Sequence, residues 1–360
     1  MPSHQKHAKI PRPSLGKFAR TEFALVGTTC TRIDGFLQEW LPELSTQFRT
    51  LTITGDHGKN HIGTSLQAGS KQMREASEAW NEYDDRLLGQ GYDLVLTNGN
   101  HYPAARQIVF VDPQKAGTLE RRREQFSKIA AVVLCPGATE MPTWLKEDLG
   151  DAAPVLTKFS ESKEVLLPLI KNAAAANRPP LKAIVLAGGK STRMGTDKSQ
   201  LIYQNGETEL NRMVGICREL GVPTHVSVAA QDQFAPGEVP VIVDRFPGLG
   251  PFGAICTAFQ QDPDAAWLVL ACDLPLFDSE TLRRLVAARD SRQVATAIKG
   301  ATKPFPEPLL AIYEPRAYSR MLSFLALGYS CPRKVLINSE VALVELADEA
   351  PLVNANKPEE

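Results

Sequence analysis

The stretch Ala183-Ile184-Val185-Leu186-Ala187-Gly188-Gly189-Lys190-Ser191-Thr192-Arg193-Met194-Gly195-Thr196-Asp197-Lys198 decides the fold. Its first four residues form a short apolar, β-branched run of the kind that makes a buried strand. Two adjacent glycines follow, then a hydroxyl pair, then Arg193 and Lys198. Glycines let the backbone approach a charged ligand closely and aim its N–H groups at phosphate oxygens. Two fixed cations offset the charge on a triphosphate as a bond to its α-phosphorus forms. The spacing differs from G-x-x-x-x-G-K-[ST], which excludes a kinase-type P-loop here. The plainer alternative is a glycine-rich turn between a strand and a helix.

Just upstream, Lys171-Asn172, four alanines and Asn177-Arg178-Pro179-Pro180 end a helix and forbid its continuation. With 360 residues in the chain, two domains are expected. Their expected bounds are an arm at 1–20, a first domain at 21–172, a linker at 173–180 and a second domain at 181–360.

Both halves alternate short apolar runs with helix-periodic segments, which predicts α/β architecture with mainly parallel sheets in two three-layer αβα domains. Strands are expected at Phe23–Val26, Thr50–Thr54, Leu94–Thr97, Ile108–Val111 and Ala131–Leu134 in the first half. In the second they are expected at Ala183–Leu186, Thr224–Val228, Val241–Val243, Trp267–Ala271 and Ala295–Ile298, with Leu309–Tyr313 a further candidate. Helices are expected over 33–46, 66–80, 119–129, 208–220, 252–260, 279–288 and 316–326.

The formal net charge of −1 gives no global basic field and no argument for a nucleic-acid partner. The six cysteines form no C-x-x-C pair, which removes the common zinc and redox spacings, and free thiols suit a reducing cytoplasm. The longest apolar run, Ala265 to Cys272, is too short to span a bilayer. The basic N-terminal arm has no apolar h-region, so it does not read as a secretory signal. A soluble cytoplasmic protein without a membrane partner is the expectation.

Four more segments bear on chemistry. Val243-Asp244 runs into Gly248-Leu249-Gly250-Pro251-Phe252-Gly253-Ala254, a loop beyond the carboxyl end of a strand, where ligands bind in open α/β sheets. Trp267-Leu268-Val269-Leu270-Ala271-Cys272-Asp273 is a buried strand ending in a carboxylate. Asp273 suits Mg²⁺, a hard cation that takes a carboxylate together with substrate phosphates; alone, an Asp there would be read as a turn-former or helix cap. Glu307-Pro308-Leu309-Leu310-Ala311-Ile312-Tyr313 and the tail Val353-Asn354-Ala355-Asn356 complete the set. Asn354 and Asn356 put two donor–acceptor amides on one side of an extended segment.

In this order the five segments resemble the molybdenum cofactor guanylyltransferases, over almost all of 181–360. The resemblance implies a Rossmann-like nucleotidyltransferase fold. The reaction it implies transfers GMP from Mg-GTP to the terminal phosphate of the molybdopterin cofactor, releasing pyrophosphate. GTP and the molybdopterin cofactor would be the substrates, Mg²⁺ the cofactor, and molybdoenzyme apoproteins or their chaperones further partners. Leu186 and Ala187 would lead into the nucleotide site. Gly188 and Gly189 would cradle the triphosphate, and Arg193 and Lys198 would neutralise it. Asp273 would bind Mg²⁺, Asp244 would hydrogen-bond the guanine, and Asn354 and Asn356 would lie near the second substrate. Ser330-Cys331-Pro332-Arg333-Lys334 is similar to the family's basic loop on the pterin side.

Three segments depart from the family. Gln231, in Ala229-Ala230-Gln231, stands nearest to an Asn that helps read the base. The tail carries Lys357 where Thr is usual, and the usual Gly-Pro-Leu-Ala-Gly reads Gly250-Pro251-Phe252-Gly253-Ala254. Related cytidylyltransferases favour Leu-Ala-Ala-Gly at the start, so Leu186-Ala187-Gly188-Gly189 points to GTP. A cytidylyltransferase, a nucleotidyltransferase on another phosphorylated acceptor, and a catalytically dead cofactor-binding scaffold remain the rivals.

In the first half, Phe23-Ala24-Leu25-Val26-Gly27-Thr28-Thr29-Cys30-Thr31-Arg32-Ile33-Asp34 sits where a P-loop would. It resembles the GTP-binding adapter that partners the guanylyltransferase, whose loop reads G-x-S-x-S-G-K-T-T-L. Further matches are Asp56-His57-Gly58-Lys59-Asn60-His61 and Tyr92-Asp93-Leu94-Val95-Leu96-Thr97-Asn98-Gly99. Ile33 replaces the phosphate-binding lysine, Asp34 the metal-binding hydroxyl, and Asn98 the family's acidic residue. The resemblance therefore implies a P-loop NTPase-like fold with a lapsed P-loop, acting as a docking or positioning module. His57 and His61 stand at i, i+4, a metal-ligand spacing on a helix, but Gly58 between them favours solvated loop histidines. Arg121-Arg122-Arg123 reads as a solvated helix face or as a contact for an anionic cofactor.

Overall fold

The computed structural model describes residues 20–55, 64–68, 71–75, 91–187, 202–204, 207–229 and 239–354. The chain divides into two compact units, Met1–Asn177 and Arg178–Glu360.

The first unit runs β1 (Thr21–Val26), α1 (Cys30–Leu44), β2 (Thr50–Ile53), β3 (Thr64–Ala68), β4 (Lys71–Glu75), β5 (Leu94–Asn98) and β6 (Arg106–Val111). It continues with α2 (Ala116–Glu120), β7 (Ile129–Leu134), α3 (Thr143–Leu149), β8 (Val155–Lys158) and α4 (Ser162–Ala176). Its main sheet has the order β2-β5-β1-β6-β7-β8, with every pair parallel. A parallel sheet is covered on both faces, which is why β1 and β5 are buried at every position and read as continuous apolar runs. Thr29 caps α1 by accepting from the Arg32 N–H. Ile33, Leu37, Trp40 and Leu44 then line one helical face and pack with Phe23, Leu25 and α4 residues Leu166 and Ile170. Val26, Val109 and Val132 face the other way, onto Leu119 and Leu145 of α2 and α3.

Two expected helices are corrected. Within 66–80, the described residues form a hairpin in which β3 and β4 pair antiparallel, Thr64 opposite Glu75 and Ala68 opposite Lys71. Only Gly69 and Ser70 separate these strands in the sequence, and such a two-residue connection is a hairpin signal that outweighs the apparent helical spacing. The helix expected over 119–129 shrinks to Ala116–Glu120 and a 3₁₀ turn at Arg123–Gln125. Buried Gln107 explains this: its Oε1 accepts from the Ser127 and Lys128 N–H groups at 3.0 and 2.8 Å, drawing 127–128 into the approach to β7. The arginine run is thereby dispersed. Arg122 Nη1 donates to Gly99 O at 3.2 Å, while Arg123 pairs with Asp148 and lies over the Trp144 ring.

The second unit runs β9 (Leu181–Leu186), β10 (Ile202–Gln204), β11 (Glu207–Thr208), α5 (Glu209–Glu219), β12 (Thr224–Val228), β13 (Val241–Val243), α6 (Pro251–Gln261), β14 (Ala266–Ala271) and α7 (Ser279–Ala287). It ends with β15 (Ala295–Gly300), β16 (Leu310–Tyr313), α8 (Arg316–Ala326), α9 (Pro332–Ile337) and β17 (Val341–Leu346). The main sheet has the order β13-β12-β9-β14-β16-β15-β17. Within it, β16 runs antiparallel to both neighbours and all other pairs are parallel. Ala183 and Val185 of β9 face a core shared with α5 and α7, whereas Ile184 faces one shared with α6, α8 and α9. This is a helix–sheet–helix sandwich, and both units are α/β with mainly parallel sheets. α3, β8, α9 and β17 have no counterpart among the expected elements. β8 and β17 are edge strands, and Val155, Leu156 and Leu343 are exposed on them. Among the described residues no helix is long and apolar enough to cross a membrane.

One feature of β12 makes stability depend on pH. His225 lies edge-on to Trp267, with centroids 5.4 Å apart, and its buried Nδ1 has no hydrogen-bond partner. Burial, and next the charge of Lys182, push its pKa below the usual histidine value. The native state therefore binds fewer protons than the unfolded chain near the histidine range. The resulting stability is fully present above about pH 6.5, the ordinary histidine pKa, and falls as acid carries the group through its lower native pKa. His225→Gln is expected to flatten denaturant midpoints measured between about pH 7.5 and 5.5.

Candidate active site

In the second unit the strand order reverses between β9 and β14, and crevices at such switch points, beyond the strands' carboxyl ends, are where open α/β sheets hold ligands. Register brings several sequence-predicted residues to this edge. Leu186 is level with Ala271 of β14 and with Ser227 of β12, and Val228 is level with Val243 of β13. Ala187, 7% exposed, donates its N–H to Ser227 O at 3.0 Å. The carboxyl ends of β13, β12, β9 and β14 thus lie side by side. Asp273 lies two residues beyond β14 and is half-buried. Gly188, Gly189, Arg193, Lys198, Gln231 and Asn356 lie outside the described residues, as do His57 and His61.

Arg212 of α5, a residue not singled out from the sequence, holds the loop that carries Asp273. It pairs with Glu209 (Nε to Oε2, 2.8 Å) and donates to the backbone carbonyls of Leu274 at 2.8 Å and Phe277 at 2.5 Å. Glu209 is only 1% exposed, so the pair sits in a low-dielectric surround where such bonds are strong. The spacing Glu209-x-x-Arg212 is an ordinary i, i+3 helix pair. Nothing local ties it to a loop more than sixty residues away.

Asp244 begins the loop after β13. Its N–H donates to Val228 O at 2.9 Å, and its Oδ1 accepts from the Phe246 N–H at 2.8 Å and from Thr257 Oγ1 at 3.0 Å. One carboxylate oxygen therefore shapes the loop itself. Gly250 enters α6 at φ +55°, in the left-handed region. A Cβ on Gly253 would lie 2.6 Å from Phe246 O and 3.0–3.1 Å from both Asp244 carboxylate oxygens. Gly253→Ala is expected to displace Asp244 and to lower the stability of this unit by about 1–3 kcal/mol, the usual magnitude for overpacking. Chemical denaturation checks it.

On the far side of β14, Ala271 N donates to Leu309 O at 3.2 Å, so the segment before β16 reaches the same edge. There Glu307 binds Lys303 at 2.9 Å and Arg333 at 3.0 Å, while Lys303 Nζ reaches Leu352 O at 3.5 Å. This ties the tail to the edge just before exposed Asn354. Residues 332–334 are not loop: they open α9, with Lys334 Nζ 4.9 Å from the Tyr329 ring centroid.

In the first unit, two of the three replacements, Asp34 in the P-loop-like segment and Asn98 at the end of β5, partner each other. Asn98, fully buried, donates from Nδ2 to Asp34 Oδ1 at 3.0 Å. Ile33 is fully buried in the core. Gly27, at φ +101°, is required at the preceding turn because a Cβ would lie 2.3 Å from Phe110 O.

Among the described residues there is no cluster of three or more His, Cys, Asp or Glu side chains able to hold a metal. A divalent ion held by Asp273 would complete its shell from phosphate oxygens and water. Mg²⁺ accepts that arrangement readily, and Asp273 fits it.

The switch-point site, its strand-end carboxylate and its glycine-bearing loops define an α/β nucleotidyltransferase. Residues 183–341 match the family model described as the MobA-like NTP transferase domain. A probable molybdenum cofactor guanylyltransferase of Mycobacterium bovis (strain BCG / Pasteur 1173P2) is 30% identical over 188 residues, covering 51% of this chain and 92% of that protein. The chain belongs to this family of MobA-like nucleotidyltransferases. A molybdenum cofactor biosynthesis bifunctional protein of Synechocystis sp. is 34% identical over 191 residues, and the chain spans 54% of its length. Among solved structures, molybdopterin-guanine dinucleotide biosynthesis protein A from Archaeoglobus fulgidus matches 49% of this chain and 93% of its own, at 22% identity and a TM-score of 0.42.

Proposed function

We propose that the second unit is a molybdenum cofactor guanylyltransferase, moving GMP from GTP onto the terminal phosphate of the molybdopterin cofactor. The observation that carries this reading is the register of β9 and β14, Leu186 level with Ala271. The ends of β9 and β14, which precede Gly188–Lys198 and Asp273 in the sequence, are thus neighbours at the reversal of strand order.

The reaction needs no covalent intermediate on the protein. The acceptor phosphate is already an anionic nucleophile, so the chain's task is to hold it in line with the α-phosphorus and to offset charge. Arg193 and Lys198 neutralise the triphosphate, the Gly188-Gly189 amides cradle it, and Asp244 and Gln231 read the base. Asn354 and Asn356 contact the acceptor. Asp273 would hold Mg²⁺, which supplies Lewis-acid polarisation of the phosphate oxygens when bound.

The test is a product assay with Mg²⁺, metal-loaded molybdopterin and GTP, CTP or ATP in turn, read by mass. A GMP adduct is expected. A CMP adduct would keep the chemistry and overturn the base assignment. No adduct from folded protein would bring the dead-scaffold reading forward.

The first unit we read as an adapter-like domain that has lost GTP binding. The buried Ile33 and the Asp34–Asn98 bond support this, because a phosphate cation is missing and the remaining acid is occupied. One Mg-GTP per full-length chain is expected in calorimetric titration, and two would refute it.

A further inference from the structure

At the carboxyl end of β1 in the first unit lies a cavity of about 210 Å³ that the nucleotidyltransferase reading does not use. Cys30, Asn100, His101, Lys115, Thr118 and Arg122 are among its lining residues. Cys30 is the first residue of α1, directly after the Thr29 cap. Its Sγ lies 3.3 Å from His101 Nε2, and Asn100 Nδ2 donates to it at 3.5 Å. A thiol within reach of an imidazole is a nucleophile–base pair, provided the imidazole is held. Gly55 holds it: a Cβ there would lie 2.6–2.9 Å from three atoms of the His101 ring, so the ring occupies space that only glycine leaves open. Lys115 and Arg122 make the cavity cationic. Arg122 Nη1 bonds a neutral carbonyl, that of Gly99, and among the described residues no ion pair is formed by Lys115.

We propose that this cavity is a thiol–disulfide exchange site in which Cys30 reacts with a small disulfide bearing carboxylates. Cys30 Sγ passes its proton to His101 Nε2 and attacks one sulfur of the disulfide. A bond forms between Cys30 and that sulfur while the disulfide's own S–S bond breaks. The outgoing thiolate leaves with the electron pair and takes the proton from His101. Cys30 ends oxidised as a mixed disulfide and the outgoing half ends reduced as a thiol, so no further oxidant is needed. Lys115 and Arg122 engage the carboxylates. Three of the other cysteines are poorly suited to this chemistry: burial pushes the Cys135 thiol up to about 11 and those of Cys217 and Cys256 up to about 12. Cys331 is exposed and provides an internal reference on the same chain.

The full-length protein is treated with oxidised glutathione or with cystamine, a cationic disulfide, and each cysteine's modification rate is followed by peptide mass. Cys30 is expected to be modified by oxidised glutathione at least about tenfold faster than Cys331, because His101 stands within reach of its thiol as a base and Lys115 and Arg122 line the cavity. Cystamine should lose most of that advantage. His101→Ala should slow Cys30 towards both reagents, and Gly55→Ala, which pushes the ring aside, should do the same. Lys115→Glu should leave the fold unchanged and reverse the preference between the reagents. Modification of Cys30 no faster than Cys331, or at a rate that ignores His101→Ala, would overturn the proposal. So would a Lys115→Glu variant with the wild-type reagent preference.

Discussion

Asp273→Ala is expected to lower turnover by roughly 10²–10³-fold, about 3–4 kcal/mol, the usual result of removing one charged stabiliser of a transition state. The residue lies past the end of β14, whose six positions are all buried, and the loop around it is gripped by Arg212. The strand and the clamp both survive the substitution, so the melting temperature is expected to stay close to wild type while activity falls. Asp273→Asn separates charge from shape: a role in holding Mg²⁺ predicts that it remains nearly as impaired and needs more Mg²⁺ to saturate. Steady-state kinetics across an Mg²⁺ titration measures both, and near-normal turnover in either variant removes Asp273 from the site. Lys198→Ala is expected to lose activity on the same scale, because one of the two cations proposed to offset the triphosphate charge would then be missing.

Arg289→Ala is expected to destabilise the second unit by about 3–5 kcal/mol, the cost of stranding a buried charge. Arg289 and Glu314 have side-chain exposures of 4% and 0%, and the guanidinium meets both carboxylate oxygens, at 2.6 and 2.9 Å. Arg289 also donates to Pro179 O at 2.9 Å, which fastens the chain just ahead of β9. Its removal leaves Glu314 without this partner and frees the strand that leads into the nucleotide loop. For a domain of this size the loss corresponds to a fall on the order of 10 °C in melting temperature. Replacing both partners, Arg289→Met with Glu314→Leu, should recover much of the loss, because a buried pair contributes little beyond a well-packed apolar one. A double variant no more stable than Arg289→Ala would show that the clasp on Pro179, and not the stranded carboxylate, dominates.

The parts of this molecule that sequence reasoning reached are those set by neighbours in the chain. Trp267–Ala271 read as a buried strand because a strand covered on both faces needs an unbroken apolar run, and Ala266–Ala271 is that strand. Thr224–Val228 and Val241–Val243, expected as strands from short β-branched stretches, are strands with those bounds. The helix expected over 66–80 went wrong where two local signals competed and the two-residue connection prevailed. The helix over 119–129 went wrong because Gln107, distant in sequence, bonds to residues 127 and 128.

By itself the sequence determined that the chain is α/β, that a glycine-rich, cationic loop follows one strand, and that a carboxylate ends another. Each is a matter of local periodicity or of residue type at a fixed offset. Only the tertiary structure decided which strand ends lie together. The pairing of Leu186 with Ala271, the grip of Arg212 on Leu274 and Phe277, the bond from Asn98 to Asp34 and the approach of His101 to Cys30 all join residues separated by long stretches of chain. Such contacts are selected when whole elements bury their apolar faces together, a global balance that no short window of residues encodes.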